Sequence, residues 1–218
     1  MLLASMSKMI DEIVQAFEDA TGKKPKPAAT PGFPGKALKR HDGAVVMQSE
    51  YRSITGKILY YTVKVAPEVV HAARDLASHM SAPGEEHWKA MERMVGYLLN
   101  IREEKFRYRR PEELREIIWT DAGFAACEDT RQSVSGAIST IGGTPTSWWS
   151  RKQPGVALSS AESEIHAYAT ACQEAMFTNM LLEELLGEPS KTAVIFEDKP
   201  RVHLFDQKST RVSAHHTF

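Results

Sequence analysis

The stretch VALSSAESEIHAYATACQEAMFTNMLLEE, Val156 to Glu184, runs from a short apolar segment through two serines into a long helix, and its reading decides the fold. Ser159 and Ser160 are favoured N-cap residues. Ser159 with Glu162 makes an S-x-x-E capping box, which satisfies two amide donors that a helix start leaves orphaned. The helix is therefore expected from near Ala161. Behind it Ile165, Tyr168, Ala169, Cys172, Met176 and Met180 recur at three- and four-residue steps, an apolar stripe suited to packing on a sheet. Glu162 reads as a first-turn acid favoured by the helix dipole and used by the capping box. Glu164, at the edge of the stripe, can point across the end of the sheet. It becomes a site residue only with partners elsewhere in the chain.

The bounds set by composition are broad. A chain of 218 residues, 42% hydrophobic and 25% charged, has the balance of a soluble globular protein of one large or two small domains. The formal charge of −1 excludes bulk electrostatics as a source of nucleic-acid affinity, so such binding must come from local basic clusters or metals. Cys127 and Cys172 lie far apart, without metal-ligand spacing and without a disulfide framework, which fits a reducing compartment. The N-terminus turns amphipathic at Asp11 and Glu12, where a signal peptide would stay apolar. No stretch is long enough to span a membrane.

In chain order, Met6 to Phe17 reads as a short amphipathic helix. Thr21 to Asp42, TGKKPKPAATPGFPGKALKRHD, is a basic linker or extended loop rich in Pro and Gly. Three more helices are expected, over Glu50 to Ala66, Pro67 to Met80 and Glu85 to Leu99, each with apolar residues on one face. The run Lys105-Phe-Arg-Tyr-Arg-Arg interleaves basic and aromatic residues, as a charged strand or linker or as a nucleic-acid contact. From Glu116 the pattern becomes that of strands. Ile117-Ile118-Trp119 leads to Asp121, Ser133 to Ile141 alternates, Gly142-Gly143 turns, and Pro145 to Ser150 makes a third strand. Thr192 to Phe196 is a fourth, closing in Glu197-Asp198.

If the fourth strand lies beside the first, Asp121 and Asp198 emerge at neighbouring strand ends and the helix start can bring Glu164 over them. Such a carboxylate cluster persists when divalent cations neutralise it, and all-oxygen ligands select magnesium, with manganese as the alternative. Two such ions about 4 Å apart can activate water and stabilise the leaving oxygen in phosphodiester hydrolysis.

The run WTDAGFAACEDTRQSVSGAISTIGGTPTSWWSRKQPGVALSSAESEIHAYATACQEAMF resembles the ribonuclease H domain of copia-type retrotransposon polyproteins. That family shows a strand ending in S/T-D-A, a D-x-R-x-S-x-S-G loop, W-x-S-K-K-Q, and S-S-T-E-A-E-Y before the helix. The upstream run YRSITGKILYYTVKVAPEVVHAARDLASHMSAPGEEHWKAMERMVGYLLN is similar to the end of the same polyprotein's reverse transcriptase. The resemblance implies an α/β (α+β) chain, a ribonuclease H-like mixed sheet with a packed helix preceded by a small helical connection unit. Its implied divisions are 1–45, an N-terminal helix and basic linker; 46–110, the helical connection region; and 111–218, the ribonuclease H-like domain, incomplete at its C-terminus.

The resemblance also implies that Asp121, Glu164 and Asp198 are catalytic metal ligands. Ala167, the small residue three positions after Glu164, favours Glu164 over Glu162, which has Ile165 there. After Asp198 the pattern departs. The family expects asparagine where Lys199 stands, then a K-H-I-D-like motif carrying a fourth ligand, whereas Asp206 lies in the unmatched context LFDQKS. No Y-x-D-D motif occurs, so the chain is not a polymerase as it stands. The function implied is magnesium-dependent cleavage of the RNA strand of an RNA–DNA hybrid, with Arg107, Arg109, Arg110, Arg151 and Lys152 holding phosphates. The alternative is a catalytically inactive remnant of a transposable element. The expected partners are the hybrid and the rest of a Pol polyprotein, with no membrane and no small-molecule substrate. The expected location is intracellular, in the cytoplasm or a virus-like particle.

Overall fold

The structure is a computed structural model, and it describes residues 2–108, 110–111, 113–197 and 213–214. The chain divides into two compact units, Leu2–Arg107 and the residues from Tyr108 onward. The first is helical. After a short strand β1 (Leu2–Ala4) come α1 (Ser7–Thr21), α2 (Gln48–Val65), a 3-10 turn (Pro67–Val69), α3 (Val70–Ala77) and α4 (Glu85–Asn100). A strand β2 (Phe106–Tyr108) then pairs with β1, so the basic-aromatic run contains the expected strand. Pro67 cannot continue the preceding helix, and the expected helix from Pro67 to Met80 begins as a tight turn instead.

Ile10, Ile13 and Phe17 of α1 share one core with Tyr51, Ile54 and Ile58 of α2 and with Met91, Met94 and Leu98 of α4. Trp88 packs edge-on to Tyr51, with ring centroids 5.5 Å apart. The basic Pro/Gly-rich segment has no regular secondary structure but lies along α4 at successive turns. The Asn100 amide donates to the Ala28 carbonyl at 2.7 Å, Arg93 donates to Gly32 O at 3.0 Å and Thr30 Oγ1 at 2.6 Å, and the Trp88 indole donates to Val46 O at 2.9 Å. His87, fully buried, accepts from the Gly84 amide through Nδ1 and meets Lys39 O through Nε2, both at 2.8 Å.

The second unit is built on a mixed sheet of order β5-β4-β3-β6-β7. Its strands are β3 (Glu116–Gly123), β4 (Val134–Ile141), β5 (Thr144–Lys152), β6 (Val194–Glu197) and β7 (Ser213–Ala214). β3, β4 and β5 form an antiparallel meander. Gly142 and Gly143 turn β4 into β5 with φ of 57° and 76°, the left-handed pair that a two-residue hairpin requires. The helix α5 (Ser160–Leu186) then carries the chain over the sheet, and β6 returns parallel to β3, with Ile117 opposite Val194 and Thr120 opposite Glu197. A mixed sheet with a packed helix, preceded by a small helical unit, is the class the sequence implies.

The apolar stripe expected to pack on the sheet does so only in part, through Tyr168 and Cys172. Ile165, Met176 and Met180 are 44%, 54% and 68% exposed. The buried stripe of α5 is Ala167, Ala171 and Ala175, and the last two share a core with Ile118, Trp149 and Ile195. Alanines one turn apart let the helix backbone approach the sheet closely, and the bulky residues, rotated by roughly 100° per position, fall on the flank. Tyr168 and Cys172 are half-buried at the edge of the alanine stripe and pack against the same core.

Candidate functional site

α5 begins with one half of the expected capping box, the Ser159 half, while Glu162 reaches the amide one residue before the N-cap. Ser159 is the N-cap and its hydroxyl accepts from the Glu162 amide at 3.1 Å, while the Glu162 carboxylate turns back to accept from the Leu158 amide at 2.7 Å. Glu162 is thereby absorbed in starting the helix. Glu164, two residues on, is turned inward and only 1% exposed. Its Oε2 accepts at 3.0 Å from the amide of Ala122, the peptide that joins Ala122 to Asp121. Ala167 is buried one turn further along and Ile165 is exposed, so the small residue follows the inward-facing glutamate.

The structure thus brings Glu164 to the Asp121–Ala122 peptide of β3. Asp121 is exposed, on the opposite sheet face from buried Thr120 and Ala122, as strand alternation requires. Asp198 lies outside the described residues, as does Asp206, and Glu197 is the last described residue of β6. Among the described residues no group of three His, Cys, Asp or Glu converges as a metal site. The donors at this end of the sheet are oxygen atoms, a set that fits a hard divalent cation.

Pairing places two of the expected basic residues near these carboxylates. Asp121 stands opposite Gly136 and Gly136 opposite Ser150, so the next two rungs are Ala122–Ser135–Arg151 and Gly123–Val134–Lys152. Paired residues share a face, which puts Lys152 on the Asp121 side and Arg151 on the Ala122 side. The Arg151 guanidinium lies 5.9 Å from the centre of the Trp149 ring, and Trp149 is buried under α5. Arg107 is an exposed residue of the helical unit, Arg110 an exposed residue of the sheet unit, and Arg109 lies outside the described residues.

One residue of the site received no role from its sequence. Gln153, 5% exposed, donates through Nε2 to Ser135 Oγ at 2.9 Å and to the Ser163 carbonyl at 2.8 Å. The only available signal was a polar residue in the W-x-S-K-K-Q motif next to Pro154, where a turn residue is equally at home.

No family model matches the chain. It is 33% identical over 174 residues, 79% of its length, to the retrovirus-related Pol polyprotein from transposon RE2 of Arabidopsis thaliana. The chain spans 12% of the length of that polyprotein. It is also 34% identical over 137 residues to secreted RxLR effector protein 161 of Plasmopara viticola, a match covering 63% of this chain and 96% of that protein. A solved structure of the foamy viral protease-reverse transcriptase in complex with dsDNA matches 83% of this chain and 41% of its own, at 14% identity and a TM-score of 0.35. By its identity to the Arabidopsis polyproteins the chain belongs to the family of retrovirus-related Pol polyproteins of copia-type transposons.

Proposed function

We propose that this segment is the ribonuclease H part of its polyprotein and hydrolyses the RNA strand of an RNA–DNA hybrid with bound magnesium, or manganese in its place. The observation that carries the reading is Glu164. A helix-borne carboxylate is buried at 1% exposure and aimed at the strand peptide that follows Asp121. Asp121, Glu164 and Asp198 would hold the cations. When bound, a pair of such ions supplies an activated water and neutralises charge on the leaving oxygen.

The remaining work falls to the chain itself. The Ala122 amide orients the Glu164 carboxylate, and preorganised ligands of this kind spend no reorganisation energy during reaction. Asp121 is exposed, and on this reading it is open to the substrate. Arg151 and Lys152, one and two rungs from the Asp121 row, supply local positive charge for phosphates in a chain whose net charge of −1 supplies none. Arg107, Arg109 and Arg110 are the further phosphate contacts that this reading assigns. The rest of the polyprotein is the partner this reading implies, and the cytoplasm or a virus-like particle its working place. Among the described residues no helix is long and apolar enough to cross a membrane.

The test is strand-specific cleavage. A hybrid labelled separately on RNA and DNA is expected to be cut in the RNA strand alone, with magnesium or manganese and not with chelator. A cooperatively melting protein that cuts neither strand under either metal is the inactive remnant, and that result rejects the nuclease reading.

A further inference from the structure

We infer that Gln153 is the positioning residue of the Glu164 site, the side chain that fixes the first turn of α5 against the strand end where the cation is held. This rests on the metal reading above. Five residues form a closed circuit. Glu164 Oε2 accepts from the Ala122 amide at 3.0 Å, and Ala122 stands opposite Ser135 in the β3–β4 pairing. Ser135 Oγ accepts from Gln153 Nε2 at 2.9 Å, and the same nitrogen donates at 2.8 Å to the carbonyl of Ser163, the neighbour of Glu164. Every side chain in the circuit is buried: Ser135 and Gln153 are each 5% exposed, Ala122 3%, Glu164 1% and Ser163 0%.

The chemistry of the position calls for a primary amide. One nitrogen must give two hydrogens, one to a hydroxyl on β4 and one to a main-chain carbonyl on α5, and among uncharged side chains of this length glutamine supplies them. Glutamate has the same shape and no donor. The main chain of Gln153 is itself held, since its amide donates to Ser133 O at 2.8 Å and its carbonyl accepts from Gln132 Nε2 at 3.0 Å. The side chain is thus a strut of fixed length between sheet and helix. Removing it frees the helix start to drift, and a metal ligand loses affinity when its support does.

The experiment measures manganese binding by the full chain, by calorimetry and by the metal-induced rise in melting temperature, beside cleavage of the hybrid. The variants are Gln153→Ala, Gln153→Glu, Glu164→Gln and Ser147→Ala. Ser147 Oγ donates to Glu174 at 2.8 Å, a helix-to-sheet tie of the same kind ten residues along α5 and remote from the site. Both Gln153 variants are expected to need about 10- to 100-fold more manganese for half-saturation, with kcat lowered and KM for hybrid unchanged. Ser147→Ala is expected to bind as the unaltered chain does. If the Gln153 variants fold and bind manganese within twofold of the unaltered chain while Glu164→Gln loses binding, the positioning role is refuted and the metal reading stands. If the unaltered chain binds no manganese and cuts no hybrid, both fall together.

Discussion

The carboxylate of Glu164 accepts a hydrogen bond from the main-chain amide of Ala122 at 3.0 Å, joining the N-terminal part of a helix to the end of a strand 42 residues earlier. Its loss leaves a buried donor unpaired, which costs about 1–3 kcal/mol. Glutamine keeps an acceptor oxygen there and alanine does not. Glu164→Ala is therefore expected to lower the urea midpoint of the sheet unit, and Glu164→Gln to unfold near the unaltered chain. Equal stability of all three would show that the bond contributes nothing.

The two stripes of α5 separate in a second comparison. Ala171 is fully buried against the sheet, so Ala171→Leu forces side chains off their rotamers and is expected to destabilise by about 1–3 kcal/mol. Met180, 68% exposed, is expected to accept serine within about 0.5 kcal/mol. Thermal melts of both variants check the assignment. The reverse ranking would restore the methionine stripe to the sheet face.

These stripes also show how far the sequence could be read. The helix start was legible because capping is local, with Ser159 and Glu162 three residues apart and chemically unambiguous. The three-strand meander was legible from alternation and the Gly142-Gly143 turn. The face of α5 was not, because periodicity marks every apolar stripe equally and only the sheet decides which one it accepts, here the alanines. The parallel placement of β6 beside β3 could be stated only as a condition, since strand order is non-local. Gln153 escaped because its partners, Ser135 and Ser163, belong to different elements.

In the helical unit two glycines are expected to respond oppositely to alanine. A Cβ at Gly96 would run into the Lys26 carbonyl of the segment lying along α4, and Gly96→Ala is expected to cost about 1–3 kcal/mol or displace that segment. A Cβ at Gly56, in the middle of α2, would meet nothing within 4 Å. Gly56→Ala is expected to stabilise by about 0.4–1 kcal/mol, through the lost freedom of the unfolded chain. Chemical denaturation of the two variants decides both signs.

Glu116, fully buried on β3, gives the sheet a pH dependence. Burial raises its carboxyl above the ordinary 4.5, aided by the Glu174 charge and opposed by hydrogen bonds from Ser139 and Thr178. The native state thus holds this proton more tightly than the unfolded chain. Its contribution to stability is fully present below the unfolded value and is lost as pH rises through the higher native one. Glu116→Gln, which resembles the protonated acid, is expected to melt above the unaltered chain near pH 7, with the gap closing toward about pH 4. A gap that widened on acidification would contradict this sign.

The most direct measurement compares the rate of RNA cleavage in a hybrid by the unaltered chain, Glu164→Gln and Glu162→Gln in magnesium. Glu162 serves the helix cap and Glu164 faces the Asp121–Ala122 peptide, although they stand two residues apart on one turn. Glu164→Gln is expected to cut at least about a hundredfold more slowly, since loss of a ligand costs no less than loss of its support, and Glu162→Gln to cut at nearly the full rate. Equal rates from the two variants, or a loss confined to Glu162→Gln, would contradict the site.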